Sequence, residues 1–482
     1  MTLSWATRRG MSGFVRRIAV VTGVVLLSAA LLWPAYLNDG PLTFFDTLGY
    51  LDQGRSGVAL VTGKIMAVLY PATTSIAEIV GDAARDTSFL RSIVYPAFAY
   101  IGTLGPMGFT GTVFLHSLIV VVLMAMIAGR EAAASPRLAL ALVAVCATLT
   151  ALPWTVSTLM PDVFAAVAIL CAIIVASRLD RIGLGGKLFV FCAASLATLS
   201  HYGHPPLFLA AAVAALVALA LMRQLSVWAI VLTLGPLVAT LVASFGVAQV
   251  VFDEASVVPR RMPLLLARSM EDGPALWHLE AHCDEYGYAV CELWDGQIPS
   301  DLGTLLWSSD GLLKKATDAQ MDRIRQEEIL ILKRAFIEFP AEQTWSFVGN
   351  AVLQIGMIGL GDTSWGRMTD DGGSQFQREP APPPRGFENL DAITTVQQAV
   401  VLAAAGLIGL FLLRDGLRTG DRERAILFVA LVGLVANATI FGGLSAPVDR
   451  YQMRVIWIVP LIAALFWLGR QGGARVSGGA DV

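Results

Sequence analysis

The chain has little charge. Only 15% of its 482 residues are Asp, Glu, Lys or Arg, against about a quarter in soluble domains. Long stretches carry none, which excludes an ordinary soluble enzyme with a solvated surface. A basic excess is lacking too: the formal net charge is −3, and phosphate neutralisation needs a basic face, so nucleic acid is excluded as a partner. Five cysteines are too few for a disulfide scaffold. No G-x-x-x-x-G-K-[ST] loop occurs, and no cytosolic segment is large enough to house one, so binding of a nucleotide phosphate in that way is not expected.

What is present is apolar sequence, 56% of the chain, with a mean hydropathy of +0.66. The first run, Ile18 to Leu37, follows Arg8, Arg9, Arg16 and Arg17. A cleaved signal peptide begins the same way. This run is long for one and ends in Trp33-Pro34-Ala35-Tyr36 without a small-x-small site, so an anchor is expected. Further spans are predicted at roughly 108–129, 136–152, 163–177, 188–200, 206–222, 227–250, 396–413, 425–443 and 455–469. The reading is an all-α polytopic membrane protein of about ten transmembrane helices. Basic residues recur on alternate connections: Arg130 and Arg137; Arg178, Arg181 and Lys187; Arg223; Arg414 to Arg424; Arg470 and Arg475. The positive-inside rule puts these, and both termini, in the cytoplasm of a bacterial inner membrane.

Three parts follow. Residues 1–252 are an N-terminal bundle including a first periplasmic loop, 38–107; 253–394 are a periplasmic domain; 395–482 hold the last helices and a cytoplasmic tail. The middle part is expected to be mostly helical, with a charged helix near Asp318 to Phe339 and a proline-rich linker at 380–384. Cys283 and Cys291 flank a short turn-like run, and an oxidising compartment favours a disulfide between them.

Polar residues beside apolar spans are costly unless used. They gather at one end of the predicted helices. Asp46 stands among aromatics with Tyr50 one turn on, and reads as a general base or as a helix-capping carboxylate. Asp162, in Met160-Pro161-Asp162, is a second candidate acid, and Asp39 and Asp52 are further alternatives. His201 and His204 suit hydrogen bonding to a polar substrate or phosphate. The pair has the spacing of a partial metal site but no evident third ligand, so no metal is assigned. Arg450 and Arg454, one turn apart, suit a phosphate, or else anchor the last helix at the interface. His116, inside a span, reads as a packing residue.

An N-terminal span, then Phe45-Asp46 with Tyr50-Leu51, then Arg91 with Tyr95-Pro96, resembles a C-type (GT-C fold) membrane glycosyltransferase. The Met160-Pro161-Asp162 turn with Phe164, and Arg450-Tyr451, are similar to features of that superfamily. The resemblance implies a catalytic aspartate in the first loop and inverting transfer from a polyprenyl-phosphate sugar, used as co-substrate with no tightly bound cofactor. Its partners would be membrane lipid and a glycan, lipid or protein acceptor of the cell envelope; Tyr50, Arg91, His201, His204, Arg450 and Arg454 would contact the donor. Many relatives have two adjacent acids where this chain has Asp46 alone. A glycan ligase or polymerase on the same scaffold, a lipid-linked saccharide transporter and a non-catalytic assembly subunit are the alternatives. Nearly charge-free spans with polar groups on one side favour one-sided chemistry over alternating access.

The cysteine reading has a direct check. Cys283 and Cys291 should resist alkylation until the protein is reduced, and opening so small a loop should cost about 2–3 kcal/mol of local stability. Labelling of both thiols without reductant would contradict it.

Overall fold

The computed structural model describes residues 13–69, 92, 94–134, 136–252, 254–294, 297–370, 376–415 and 420–477. The chain is mainly helical. Among the described residues, five helices are long and apolar enough to cross a membrane: Phe109–Gly129, His204–Leu221, Val227–Val250, Asp391–Arg414 and Asp421–Leu444. Ile18–Ala30, Val163–Arg178 and Leu184–Leu199 are shorter apolar helices. The last two, with those starting at His204 and Val227, lie within a few residues of the predicted runs.

Val163–Arg178 is the centre of the bundle. All of its residues are buried, and its side chains are apolar around the whole circumference, as an enclosed helix requires. Alanines at 165, 166, 168, 172 and 176 let neighbours approach closely. The helices starting at Phe109, Leu184, His204 and Asp421 surround it. Val227–Phe252 and Asp391–Asp415 lie further out and keep most of their apolar surface exposed. A hydrogen bond between the Thr198 and Thr240 hydroxyls, 2.6 Å, ties one of these outer helices to the inner ring.

Several helices were not individually anticipated, among them Thr47–Leu69 and Pro340–Gly356. The first contains four glycines, which weaken any helical signal, and the second follows directly on the charged helix. That charged helix runs over Asp318–Glu338, and a Thr317–Gln320 capping box starts it.

The 253–394 stretch divides. Leu266, Leu279, Val290, Leu305, Ile324 and Ile331 belong to a separate core over about 262–335. Inside it, the buried Glu328 pairs with Arg261 and accepts the Leu266 amide at 3.1 Å. Cys283 is joined to Cys291. After the charged helix the chain leaves that core: Pro340–Gly356 packs on Asp421–Leu444, and Leu360 and Trp365 pack on Leu42, Trp154 and Met453 at the end of the bundle. The expected proline-rich linker, 380–384, carries no helix and begins at the last residue of a strand: Gln377–Pro380 pairs antiparallel with Gly366–Thr369. Pro380 closes that two-stranded ladder, where a missing N–H is tolerated.

Thr47–Leu69 packs on Tyr95–Thr103 at Gly54, where an added Cβ would collide with the Pro96 carbonyl. Gly54→Ala should therefore force the two helices apart and cost about 1–3 kcal/mol, read as a lower thermal midpoint in detergent. Gly57→Ala, with nothing within 4 Å of the added carbon, is the matched control and should be close to neutral. Equal midpoints for the two variants would refute this packing.

Candidate functional site

The N-terminal end of the central helix is where segments remote in sequence converge. Leu42 donates its amide to the Ser157 carbonyl, and Leu159 donates back to Leu42, both at 2.9 Å. Thr43 bridges on its other side to Ser364. Three stretches of chain thus run side by side just before Val163. The Phe44 amide is received by the Thr47 hydroxyl, which itself donates to the Leu159 carbonyl, and this places Asp46 at the start of the Thr47–Leu69 helix. A small cleft, partly open to solvent, lies against these three stretches. Thr43, Phe44, Thr158, Asp162, Asp362 and Arg450 are among its walls.

Charge is concentrated in that wall. Asp162 is 5% exposed, at the head of the central helix, and its side chain caps no backbone amide. It is held instead by Arg454, whose Nη1 donates to Oδ1 at 2.9 Å, with Arg450 Nε 3.9 Å from the same oxygen. Arg454 is 1% exposed; its Nη2 donates to Asn437 Oδ1 at 3.1 Å, and its guanidinium lies 3.8 Å from the centre of the Phe441 ring. Burial by itself would raise the Asp162 carboxyl, but the Arg450 and Arg454 charges outweigh it and hold the group below the usual carboxylate range. The stabilisation from this pairing is full above the ordinary carboxylate value and is lost as pH falls through the lowered one.

Arg450 is held differently. Its guanidinium covers the Phe44 ring at 3.8 Å, and Nη2 donates to the Tyr451 hydroxyl at 3.4 Å. Its backbone N–H donates to Asp362 at 3.0 Å. Nε and Nη1 are buried and have no hydrogen-bond partner. Asp46, half-buried, lies within electrostatic reach of this arginine. The loop carrying Asp362 approaches closely because residue 359 is glycine: an added Cβ would stand 2.6 Å from the Asp449 carboxylate, which accepts the Gly359 amide at 2.8 Å.

The other predicted residues are placed as follows. Tyr50 is buried in the core, edge-on to Tyr95 at 5.2 Å, and is not among the cleft residues. His201 and His204 pack beside Phe441, the ring that Arg454 covers, with ring distances of 5.4 and 6.0 Å to it. His204 opens a helix and is fully buried, so the cleft does not reach it. Burial, then the Arg454 charge, pushes His201 down to about 3, which makes it a neutral hydrogen-bonding group. Arg91 lies outside the described residues. Asp39 pairs with Arg367 at 2.5 Å and Asp52 accepts the Phe376 amide at 2.9 Å, so both tie the first loop to the hairpin. His116, within hydrogen-bond range of the Tyr95 hydroxyl, is a packing residue as read.

Sequence reasoning missed Asp362, Asn437 and Phe441. None stands in a recognisable motif; a carboxamide inside the apolar run 425–443 was the one available signal. No protein-family model matches the chain, and no curated protein or solved structure is similar to it.

The ion pair can be tested alone. Asp162→Asn leaves Arg454 buried without its counter-charge and should cost about 3–5 kcal/mol, read as a lower thermal midpoint in detergent. Adding Arg454→Gln should recover part of that loss. Fully additive losses would show that the two side chains do not act as a pair.

Proposed function

We propose that the chain is a membrane glycosyltransferase of the GT-C type, moving a sugar from a polyprenyl-phosphate carrier to a cell-envelope acceptor. The observation that carries this reading is Arg450: a buried guanidinium on a cleft wall, with two donor nitrogens unfilled and a carboxylate close by. Such donors suit an anion with several oxygens, and phosphate supplies it. A lipid-linked donor is favoured over a soluble one because the cleft stands at the end of a bundle of long apolar helices. On this reading about ten helices span a bacterial inner membrane, with both termini cytoplasmic and the cleft on the periplasmic side.

The chemistry follows from the side chains. Asp46 takes the proton of an acceptor hydroxyl as its oxygen attacks the anomeric carbon. The bond from that carbon to the phosphate oxygen breaks on the opposite face, which inverts the configuration. The leaving polyprenyl phosphate carries away the negative charge, and Arg450 stabilises it. Asp162 and Arg454 are positioning residues: they hold the helix that carries Arg450 against the central helix. Asp362 orients the same helix through the Arg450 amide.

Two substitutions separate the roles. Asp46→Asn should lower transfer from a radiolabelled polyprenyl-phosphate sugar by about 10²–10⁴-fold while donor binding survives, since the amide keeps the shape. Arg450→Ala should also weaken donor binding, by roughly 10- to 100-fold, because that contact precedes the chemistry. Wild-type transfer by Asp46→Asn would move the base to a carboxylate that lines the cleft itself, Asp162 or Asp362. Wild-type transfer by both variants would remove the mechanism altogether.

A further inference from the structure

Two of the chain's five histidines stand in the separate 262–335 core region. His278 and His282 are one turn apart on the Pro274–Tyr286 helix and so share a face. Glu338, the last residue of the charged helix, faces them from a different element. Its carboxylate oxygens both lie 3.0 Å from His278 Nδ1, and Oε1 lies 3.5 Å from His282 Nε2. All three ligand atoms fall within 4.8 Å of one another. Zinc bound tetrahedrally by nitrogen and oxygen separates its ligands by about 3.3 Å.

The outer nitrogens are also engaged. His282 Nδ1 is 2.9 Å from Glu285 Oε2, and His278 Nε2 is 3.1 Å from the Tyr288 hydroxyl, which Arg334 also contacts at 2.5 Å. His282 thus has a carboxylate at each ring nitrogen, and a neutral ring can donate to only one of them, which leaves its other nitrogen's lone pair facing a carboxylate. At His278 the Tyr288 hydroxyl can either accept from Nε2 or donate to it, so that ring can turn a lone pair at Nδ1 toward Glu338. A cation among the three groups relieves the conflict at His282: a second proton on that ring, or a metal ion shared with His278 and Glu338.

We propose that His278, His282 and Glu338 bind one divalent transition-metal ion of the zinc type, which cross-links the Pro274–Tyr286 and Asp318–Glu338 helices. His278 is fully buried, whereas the His282 and Glu338 side chains are about one-third exposed, so the ion is reached from one side and keeps a position for water. The cross-link reinforces the same region as the Cys283–Cys291 bond. It is independent of the glycosyltransferase reading.

The test uses the full-length chain in detergent, stripped with a chelator, exchanged into chelator-free buffer at neutral pH and titrated with zinc chloride by calorimetry. One ion per chain should bind, with a Kd on the order of 1 μM or tighter. His282→Ala and Glu338→Gln should each weaken binding at least tenfold, and Glu285→Gln by roughly 10- to 100-fold through the outer shell. The His201→Ala/His204→Ala variant should bind as wild type does. Zinc should raise the thermal midpoint of the wild type and not that of Glu338→Gln. Should His282→Ala aggregate, Glu338→Gln, which keeps the side-chain volume, decides the matter. Absence of saturable zinc binding by the wild type, or binding that survives Glu338→Gln unchanged, overturns the site and leaves a proton-bridged cluster in its place.

Discussion

The Asp162–Arg454 pair is the interaction on which the end of the bundle depends. Both side chains are almost wholly out of water, where neither charge is stable without the other. Asp162 belongs to the central helix and Arg454 to the short helix before the last long one. Asn437, which completes the arginine's hydrogen bonds, belongs to Asp421–Leu444 and also donates to the Tyr451 carbonyl at 2.6 Å. One guanidinium therefore sets the relative position of three helices. The apolar packing below it is non-directional and would tolerate sliding; the ion pair and its carboxamide partner would not.

That fixed frame gives the neighbouring arginine a different task. Arg450 is close to the same carboxylate but too far for a hydrogen bond, and it rests on the faces of Phe44 and Tyr451. Aromatic faces hold a guanidinium in place without using its N–H groups. Two of those groups thus stay unfilled at a cleft wall, at a desolvation cost that a bound anion would offset. One arginine is committed to structure and the other is kept available. Their spacing of one helical turn places both on the same face of the same short helix.

The 262–335 core follows a different logic. It has less apolar sequence than the bundle, and it relies on the buried Glu328–Arg261 pair, the Cys283–Cys291 bond and the His278–His282–Glu338 cluster. Directional and covalent links of this kind stabilise a unit too small to depend on burial alone. The residues after 357 belong to the bundle instead, because their tryptophan and leucine side chains find an apolar surface only there.

Much of the architecture was legible without coordinates. Apolar runs with almost no charge require helices satisfied by their own backbone hydrogen bonds, so the long helices are written in the composition itself. The spacing of Cys283 and Cys291, the charged helix near Asp318 to Phe339, and the cost of burying Asp162, Arg450 and Arg454 were legible for the same reason: each is a local pattern or an expensive exception to one. Partnership was not legible. Nothing local states that Arg454 meets Asp162 rather than a phosphate, that Tyr50 turns into the core, that His201 and His204 pack beside Phe441, or that Glu338 faces His278 and His282. The sequence by itself determined the long apolar helices and which polar groups had to be satisfied. Only the tertiary structure decided which group satisfies which, because burial makes a polar residue costly wherever it stands, while its partner is chosen by helix packing between segments far apart in the chain.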